Sequence, residues 1–348
     1  MARLTELLYQ AFSLKASDLH LTVGVPPTFR LDGRLVPGSG GILSPHDTLA
    51  LAQEIMTPAE WEEYQRLGEL DFSYSVPKLG RFRVNAFRQR GHHALAIRTV
   101  ALVPFTLEQL NMPPVLTELA LRTKGLILVT GPSGSGKSTT LAAMIDKINS
   151  IRSAHIITLE EPMEFVHRHN QSIVQQREIG TDTKTYASGL RAALREDPDV
   201  ILIGEMRDLE TISIAVTAAE TGHLVLSTLH TTGAAQTIDR IVDVFPPYQQ
   251  NQIKLQLSNV LAGIISQQLL PRRQGPGRVA ALEILVATPA ICNLIREGKT
   301  HQIDSMIQIG AQHGMNTMDQ ALANLYRQGL ISYEQALAHA NDPKSLST

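Results

Sequence analysis

Several residue types are scarce in this chain, and each scarcity excludes a class of structure. Of its 348 residues only Cys292 is a cysteine, so neither an internal disulfide nor a zinc site of four thiolates can form. No apolar run approaches the ~20 residues that a membrane-spanning helix needs. The formal net charge is −2, so no global positive field attracts nucleic acid or anionic lipid. We therefore expect a reducing compartment, no nucleic acid partner, and membrane contact only through partner proteins.

The beginning of the chain also lacks the apolar core of a secretory signal peptide. Glu6, Lys15 and Asp18 interrupt it, so we expect no cleaved leader and a cytoplasmic location. Hydrophobic residues make up 43% of the chain and charged residues 18%, which is typical of a globular protein. At roughly 100–200 residues per domain, the length predicts two domains.

Residues 1–100 predict a small α/β domain. A short helix is expected at residues 4–12 and a strand at 19–23, and Asp32-Gly33 between apolar residues predicts a hairpin. Residues 44–67 predict two helices, the second with Thr57 as its N-cap and Pro58 in its first turn. Three strand-like runs follow, close enough to be antiparallel neighbours, at residues 70–76, 81–89 and 94–100.

Prolines at positions 104, 113 and 114 mark residues 101–116 as a linker containing one short helix, and residues 117–348 as the second domain. There, short continuous apolar runs alternate with helical stretches, the pattern of a doubly wound parallel sheet. The predicted strands are 126–130, 155–159, 200–203 and 224–228, and the predicted helices are 138–149, 186–195, 209–220 and 234–242.

The last hundred residues, 249–348, are expected to be mostly helical. A long helix is predicted over 249–268, and a hairpin around Gly275–Gly277 with its return strand at 278–286. Three further helices fit the tail, near residues 289–297, 315–328 and 332–340.

A phosphate-binding loop is the strongest motif of the chain. The pattern G-x-x-x-x-G-K-[ST] is matched in full by Gly131, Pro132, Ser133, Gly134, Ser135, Gly136, Lys137 and Ser138. An apolar strand precedes this loop and a helix follows it, which lets backbone amides point at negative charge. We predict that ATP binds here with Mg²⁺, Lys137 reaching the β- and γ-phosphates. The Ser138 hydroxyl is expected to ligate Mg²⁺, and Thr139 to make a further phosphate contact.

Acidic residues follow two of the predicted strands, where ligands sit in such sheets. Glu205 comes after a four-residue apolar run, and we predict that it organises Mg²⁺ or water. Glu160, Glu161 and Glu164 follow the preceding strand. One of them is expected to orient or deprotonate the attacking water, but spacing alone does not decide which. His230 ends another apolar run and is a candidate sensor of the γ-phosphate.

Arg81 and Arg83 alternate along a predicted strand and therefore share one of its faces. Two interpretations stay open at this point. The strand is either a charged sheet edge that resists aggregation, or it presents an arginine pair to a nucleotide, including one on a neighbouring subunit.

Taken together, these motifs resemble the secretion ATPases of type II secretion and type IV pilus systems, and among them the pilus retraction ATPases. The resemblance covers essentially the whole chain. Besides the phosphate loop, it rests on residues 81–87 (RFRVNAF), 158–167, 196–208 (EDPDVILIGEMRD) and 219–232. It implies a hexameric ring in which each subunit has a PAS-like N-terminal domain and a RecA-like ATPase domain, with ATP bound between them.

The same resemblance implies roles for single residues. Glu164 becomes the catalytic base, Glu205 the acid of the Walker B motif, and His230 the γ-phosphate sensor. Three arginines become phosphate or interface contacts: Arg81, Arg83 and Arg240. The implied partners are other copies of the chain, an inner-membrane PilC-like platform protein and a PilU-like paralogue, and the implied location is the inner face of the cytoplasmic membrane.

Alternatives within and beyond the family also follow. Assembly and type II secretion ATPases usually carry an extra N-terminal domain and a four-cysteine zinc site, and this chain has neither, which favours retraction. A PilU-like accessory ATPase stays open. Cys292 replaces an arginine of the retraction signature AIRNLIRE, and Glu161 stands where an aspartate is usual. A DNA motor would show salt-dependent DNA binding, and a nucleotide-gated regulator would hydrolyse ATP only slowly.

Overall fold

The structure, a computed structural model, describes residues 4–31, 33–77, 79–100, 104–343 and 346. It divides into two compact units: Met1–Val103 with Glu164–Val166, and Pro104–Met163 with His167–Thr348. Among the described residues, no helix combines the length and apolar character needed to cross a bilayer. Asp32 of the predicted hairpin turn and residues 101–103 of the predicted linker lie outside the described residues.

Within the described residues of the first unit, six strands form one antiparallel sheet in the order β3-β2-β1-β6-β5-β4. Their bounds are Asp18–Leu21 (β1), Thr28–Leu31 (β2), Arg34–Pro37 (β3), Glu69–Val76 (β4), Gly80–Gln89 (β5) and His92–Thr99 (β6). The helices are Leu4–Ser13 (α1), Pro45–Ile55 (α2) and Pro58–Leu67 (α3). Thr57 caps α3 as predicted, because its hydroxyl accepts from Glu60 N while the Glu60 carboxylate accepts from Thr57 N.

Strand β5 corrects one of the two interpretations of the arginine pair. It lies between β4 and β6, so Arg81 and Arg83 do not belong to an edge strand. Phe82 and Val84, which alternate with them, are buried in the core of this unit. The arginines therefore lie on the sheet face opposite that core.

Where the second unit is described, seven strands form a mixed sheet in the order β13-β12-β7-β11-β10-β8-β9. Every neighbouring pair is parallel except β12 with β13. The strands are Gly125–Thr130 (β7), His155–Glu160 (β8), Ile173–Glu178 (β9), Val200–Ile203 (β10), Leu224–Leu229 (β11), Leu261–Pro271 (β12) and Arg278–Val286 (β13). The helices are Pro114–Ala120 (α4), Lys137–Ile151 (α5), Tyr186–Ala193 (α6), Leu209–Glu220 (α7), Ala234–Asp243 (α8), Pro247–Val260 (α9), Pro289–Glu297 (α10), Ile303–Ile309 (α11), Met318–Arg327 (α12) and Tyr333–His339 (α13).

Apolar residues cover both faces of this sheet. Along β7, Leu126 and Leu128 join a core shared with α7, α8 and α9, whereas Ile127 and Val129 join a second core shared with α4 and α5. Burial on both faces explains why the four predicted strands appear as continuous apolar runs. The predicted α/β class is confirmed.

The C-terminal part departs from the prediction. The helix predicted over residues 249–268 ends at Val260, and the chain continues directly as β12, parallel to β7. A short apolar run suits either element, and here the open edge of β7 decides the outcome. The end of the chain therefore contains a strand pair in addition to its helices, and the hairpin around Gly275–Gly277 is present as predicted.

Candidate active site

The phosphate loop connects the buried strand β7 to helix α5. Gly131, Gly134 and Gly136 have φ values of +140°, +78° and +90°, a region that side chains with a Cβ rarely adopt. A Cβ on Gly131 would also lie 2.3 Å from the carbonyl oxygen of Gln267. Glycine at position 131 is therefore required both by the backbone conformation and by packing against the neighbouring strand.

Lys137 is the first residue of α5 and is 9% exposed. Its ammonium group donates to the carbonyl oxygens of Gly131 at 2.9 Å and of Pro132 at 3.0 Å. These bonds hold a positive charge over the loop, beside the helix N-terminus. An anionic phosphate chain would find both the charge and the amide donors there.

Glu205 follows β10 after a single glycine, and two hydroxyls of β11 hold this strand end. Ser227 Oγ donates to the Ile203 carbonyl oxygen at 2.8 Å, and Thr228 Oγ1 to that of Gly204 at 2.6 Å. The Glu205 side chain is 17% exposed, and its carboxylate pairs with Arg207. The acid is thus held at the carboxyl end of the sheet, as predicted.

His230 lies at the end of β11, and its Nε2 is 3.2 Å from Glu205 Oε2. Partial burial and the positive charges of Lys137 and Arg207 lower the pKa of His230 below its usual value. The ring is therefore neutral at pH 7, and because a carboxylate only accepts, Nε2 carries the hydrogen. The structure thus brings together three of the predicted residues: Lys137, Glu205 and His230.

A cleft of about 340 Å³ opens beside this cluster. Its polar lining includes Glu205, Arg207, His230 and Arg240, the last of which projects from α8. Arg240 therefore shares a cavity with the predicted acid and sensor. One carboxylate and two guanidinium groups around a small cavity form an arrangement that can stabilise negative charge on a phosphate.

The three carboxylates at the end of β8 and just beyond it occupy different environments. Glu160 Oε1 accepts from Thr158 Oγ1 at 2.6 Å and from Gln176 Nε2 at 3.0 Å, so two donors already occupy this carboxylate oxygen. Glu161 and Glu164 are exposed. Glu164 groups with the first unit, so its role as the base stays a prediction, as do the nucleotide contacts of Arg81 and Arg83.

Two polar residues of the β12–β13 hairpin escaped the sequence analysis. Gln267, 2% exposed, contacts the phosphate loop, and Glu283, 6% exposed, accepts from Ala234 N at 2.8 Å at the start of α8. Burial and nearby Asp304 raise the pKa of Glu283. The sequence signal for Glu283 was a single charged residue inside an apolar run, and for Gln267 it was a short polar stretch, residues 266–268, inside an apolar run.

His167 makes the stability of the protein depend on pH. Burial lowers the pKa of this histidine from 6.5 to about 4. Between these pH values the unfolded chain binds a proton that the folded chain does not, so stability falls as pH drops from 6.5 towards 4. The loss is about 3 kcal/mol over that range for one group. Urea unfolding at several pH values should show a smaller loss for His167→Gln and an unchanged loss for His301→Gln, an exposed control.

A mixed α/β sheet with a phosphate loop after β7 and an acid after β10, separated from β7 by β11 alone, is the arrangement of P-loop nucleoside triphosphatases. The profile of the type II/IV secretion system protein family matches residues 2–338. The chain belongs to that family.

Its relatives include pilus motors. The chain is 50% identical over 344 residues to the type IV pilus retraction ATPase PilT of Pseudomonas aeruginosa, covering 98% of this chain and 99% of that protein. It is 43% identical over 330 residues to the type IV pilus ATPase PilU of the same bacterium, covering 95% and 86%. It also superposes on a crystal structure of the pilus retraction motor PilT with bound ADP, with a TM-score of 0.93, 50% identity, and coverage of 100% and 99%.

Proposed function

We propose that this chain is an ATP-hydrolysing motor of type IV pilus retraction, and so drives twitching motility. The observation that carries the proposal is the cluster of Lys137, Glu205 and His230 at one end of the sheet, where His230 bonds to Glu205 and lies near the charge of Lys137. Similarity over nearly the full length of a pilus retraction ATPase supports ATP as the substrate and pilus retraction as the task. The family resemblance supports a PAS-like fold for the first unit and a RecA-like fold for the second unit.

The residues of the loop, Gly131 to Thr139, bind the triphosphate. Lys137 exchanges its bonds to the loop carbonyls for bonds to the β- and γ-phosphates. Ser138 and Glu205 offer hydroxyl and carboxylate oxygens, the hard donors that suit Mg²⁺. When bound, Mg²⁺ neutralises the charge that develops during phosphoryl transfer.

Glu164 orients the attacking water and accepts its proton. His230, donating to Glu205, responds to the presence of the γ-phosphate. Arg240 contributes positive charge from the wall of the cleft. Arg81 and Arg83 contact a bound nucleotide. Their shared position on the face of β5 opposite the core supports this assignment.

The motor works as a homohexamer at the inner face of the cytoplasmic membrane. Sequential closure of subunits around the ring acts on a PilC-like platform protein, through which the motor contacts the membrane. A PilU-like paralogue is a second partner. The similarity to PilU also supports an alternative in which this chain is itself the accessory ATPase.

Gene deletion with complementation tests the function. Loss of the chain should leave cells with more surface pili and without surface motility, and only the wild-type gene should restore both, not Lys137→Ala. Cells without pili would identify an assembly ATPase instead. Unchanged pili and motility would contradict a main retraction motor and favour the accessory alternative.

A further inference from the structure

Gln267 joins the phosphate loop to the helix that follows it through a single buried amide. Its Nε2 donates to the carbonyl oxygen of Ser135 at 2.6 Å, and its Oε1 accepts from Thr140 Oγ1 at 2.8 Å. Ser135 lies in the loop and Thr140 in the first turn of α5. An amide suits this position because one partner needs a donor and the other needs an acceptor.

The neighbouring residues extend this attachment to the start of the loop. Ser266 pairs in register with Thr130, the last residue of β7, and their hydroxyl oxygens are 2.6 Å apart. Gly131 packs against the backbone of Gln267 itself. Strand β12 therefore holds the loop at its entry, in its middle and at its exit.

The bond to Ser135 has a consequence for phosphate binding. The C=O and N–H groups of a trans peptide point in opposite directions. Because the Ser135 carbonyl is turned towards Gln267, the N–H of Gly136 in the same peptide is directed away from it. An amide N–H that points away from β12 is available to donate to an anion bound at the loop.

We propose that Gln267 is a positioning residue of the nucleotide site: it fixes the Ser135–Gly136 peptide so that the Gly136 N–H faces the bound phosphate. The inference rests on the proposed nucleotide binding. It assigns a binding role to a strand that lies outside the phosphate-loop motif, and to a side chain that touches the loop but not the substrate.

Gln267→Glu is the decisive variant because it keeps the size and removes the donor. At pH 8 a carboxylate oxygen would replace the amide N–H that donates to the Ser135 carbonyl oxygen, so two acceptors would lie against each other. The carboxylate would also add negative charge near the bound phosphates. Loss of a buried hydrogen bond in this position should weaken binding of a fluorescent ADP with Mg²⁺ by about 10–100-fold. Thermal unfolding reports separately on folding.

Lowering the pH supplies a measurement that a purely structural role would not change. A protonated carboxyl regains an O–H donor for Ser135, so the ADP affinity of Gln267→Glu should recover relative to wild type between pH 8 and pH 5.5. The ratio to wild type removes the contribution of His230, which titrates in both proteins, and the nearby charge of Lys137 is also common to both. Thr140→Val, which loses only the second bond, should weaken binding less.

Gln268→Glu is the matched control. Gln268 is the next residue of β12, and its Oε1 contacts His339 Nδ1 at 2.7 Å instead of the loop. This variant should bind ADP as wild type does. Wild-type affinity of Gln267→Glu at pH 8, or weakened affinity without recovery in acid, would overturn the assignment. If the wild-type protein itself bound no ADP, that result would contradict the proposed function and not the role of Gln267 alone.

Discussion

Lys137→Ala is expected to remove ATP hydrolysis, lowering kcat by about 10²–10³ or more, as loss of a preorganised donor at a transition-state charge does. Its ammonium group is a positive charge bonded to the loop carbonyls of Gly131 and Pro132, and it lies near enough to His230 to lower the pKa of that ring. Phosphate release from purified protein measures the effect. Binding of ADP should weaken as well, because we predict that the lysine contacts the β-phosphate.

A matched control comes from the same helix. Lys147 lies near the end of α5 and pairs with Glu108 at 2.8 Å. An ion pair with one exposed partner contributes little to stability, so Lys147→Ala should remain folded and hydrolyse ATP at the wild-type rate. A wild-type rate in Lys137→Ala would mean that the loop does not hold the reacting phosphates, and would remove the central assignment of this site.

Local patterns made the phosphate loop and the central strands predictable. The loop is specified by eight contiguous residues. Its glycines adopt the backbone conformations of the loop, and its lysine bonds to the loop carbonyls. The strands β7, β8, β10 and β11 are buried on both faces, so their apolar runs are continuous and short. Both signals are complete within a short window of the chain.

Features that depend on distant partners were not predictable. The run from Leu261 to Leu270 suits a helix or a buried strand, and it forms a strand because β7 offers an open edge. Strand β9 escaped notice because its sequence, IVQQRE, is largely polar and it occupies the sheet edge. The contacts of Gln267 follow from the position of β12, and so could not be anticipated either.

The same limit applies to the three carboxylates after β8. Spacing could not separate Glu160, Glu161 and Glu164, since all three follow the strand predicted over residues 155–159. The structure distinguishes Glu160 because Gln176, on the unpredicted strand β9, donates to it. The assignment of Glu164 still rests on family resemblance, and Glu164→Gln would test it in the same assay as the Lys137 variant.

Glu205→Gln is the second change with a large expected effect. The amide keeps the size of the side chain and can still accept from His230. It removes the negative charge that pairs with Arg207 and that would bind Mg²⁺. We expect kcat to fall by about 10²–10³, in the range typical of a lost electrostatic contact in the transition state. The Mg²⁺ concentration needed for half-maximal activity should rise, because a neutral amide is a weaker ligand than a carboxylate.

Glu210→Gln controls for a change of charge near the same strand end. Glu210 lies in the first turn of α7, is exposed, and pairs with Arg191, so its substitution should alter neither kcat nor the Mg²⁺ dependence. An unchanged Mg²⁺ dependence in Glu205→Gln would contradict a role in metal binding. A near wild-type rate would contradict any role in the reaction.

The double variant Glu205→Gln, His230→Gln shows whether the two residues act as a unit. Residues in contact give non-additive effects, whereas independent residues add. If His230 works by holding Glu205, the double variant should be no slower than Glu205→Gln alone. If the losses multiply instead, His230 contacts the phosphate independently, and the hydrogen bond between the two side chains only sets the tautomer of the ring.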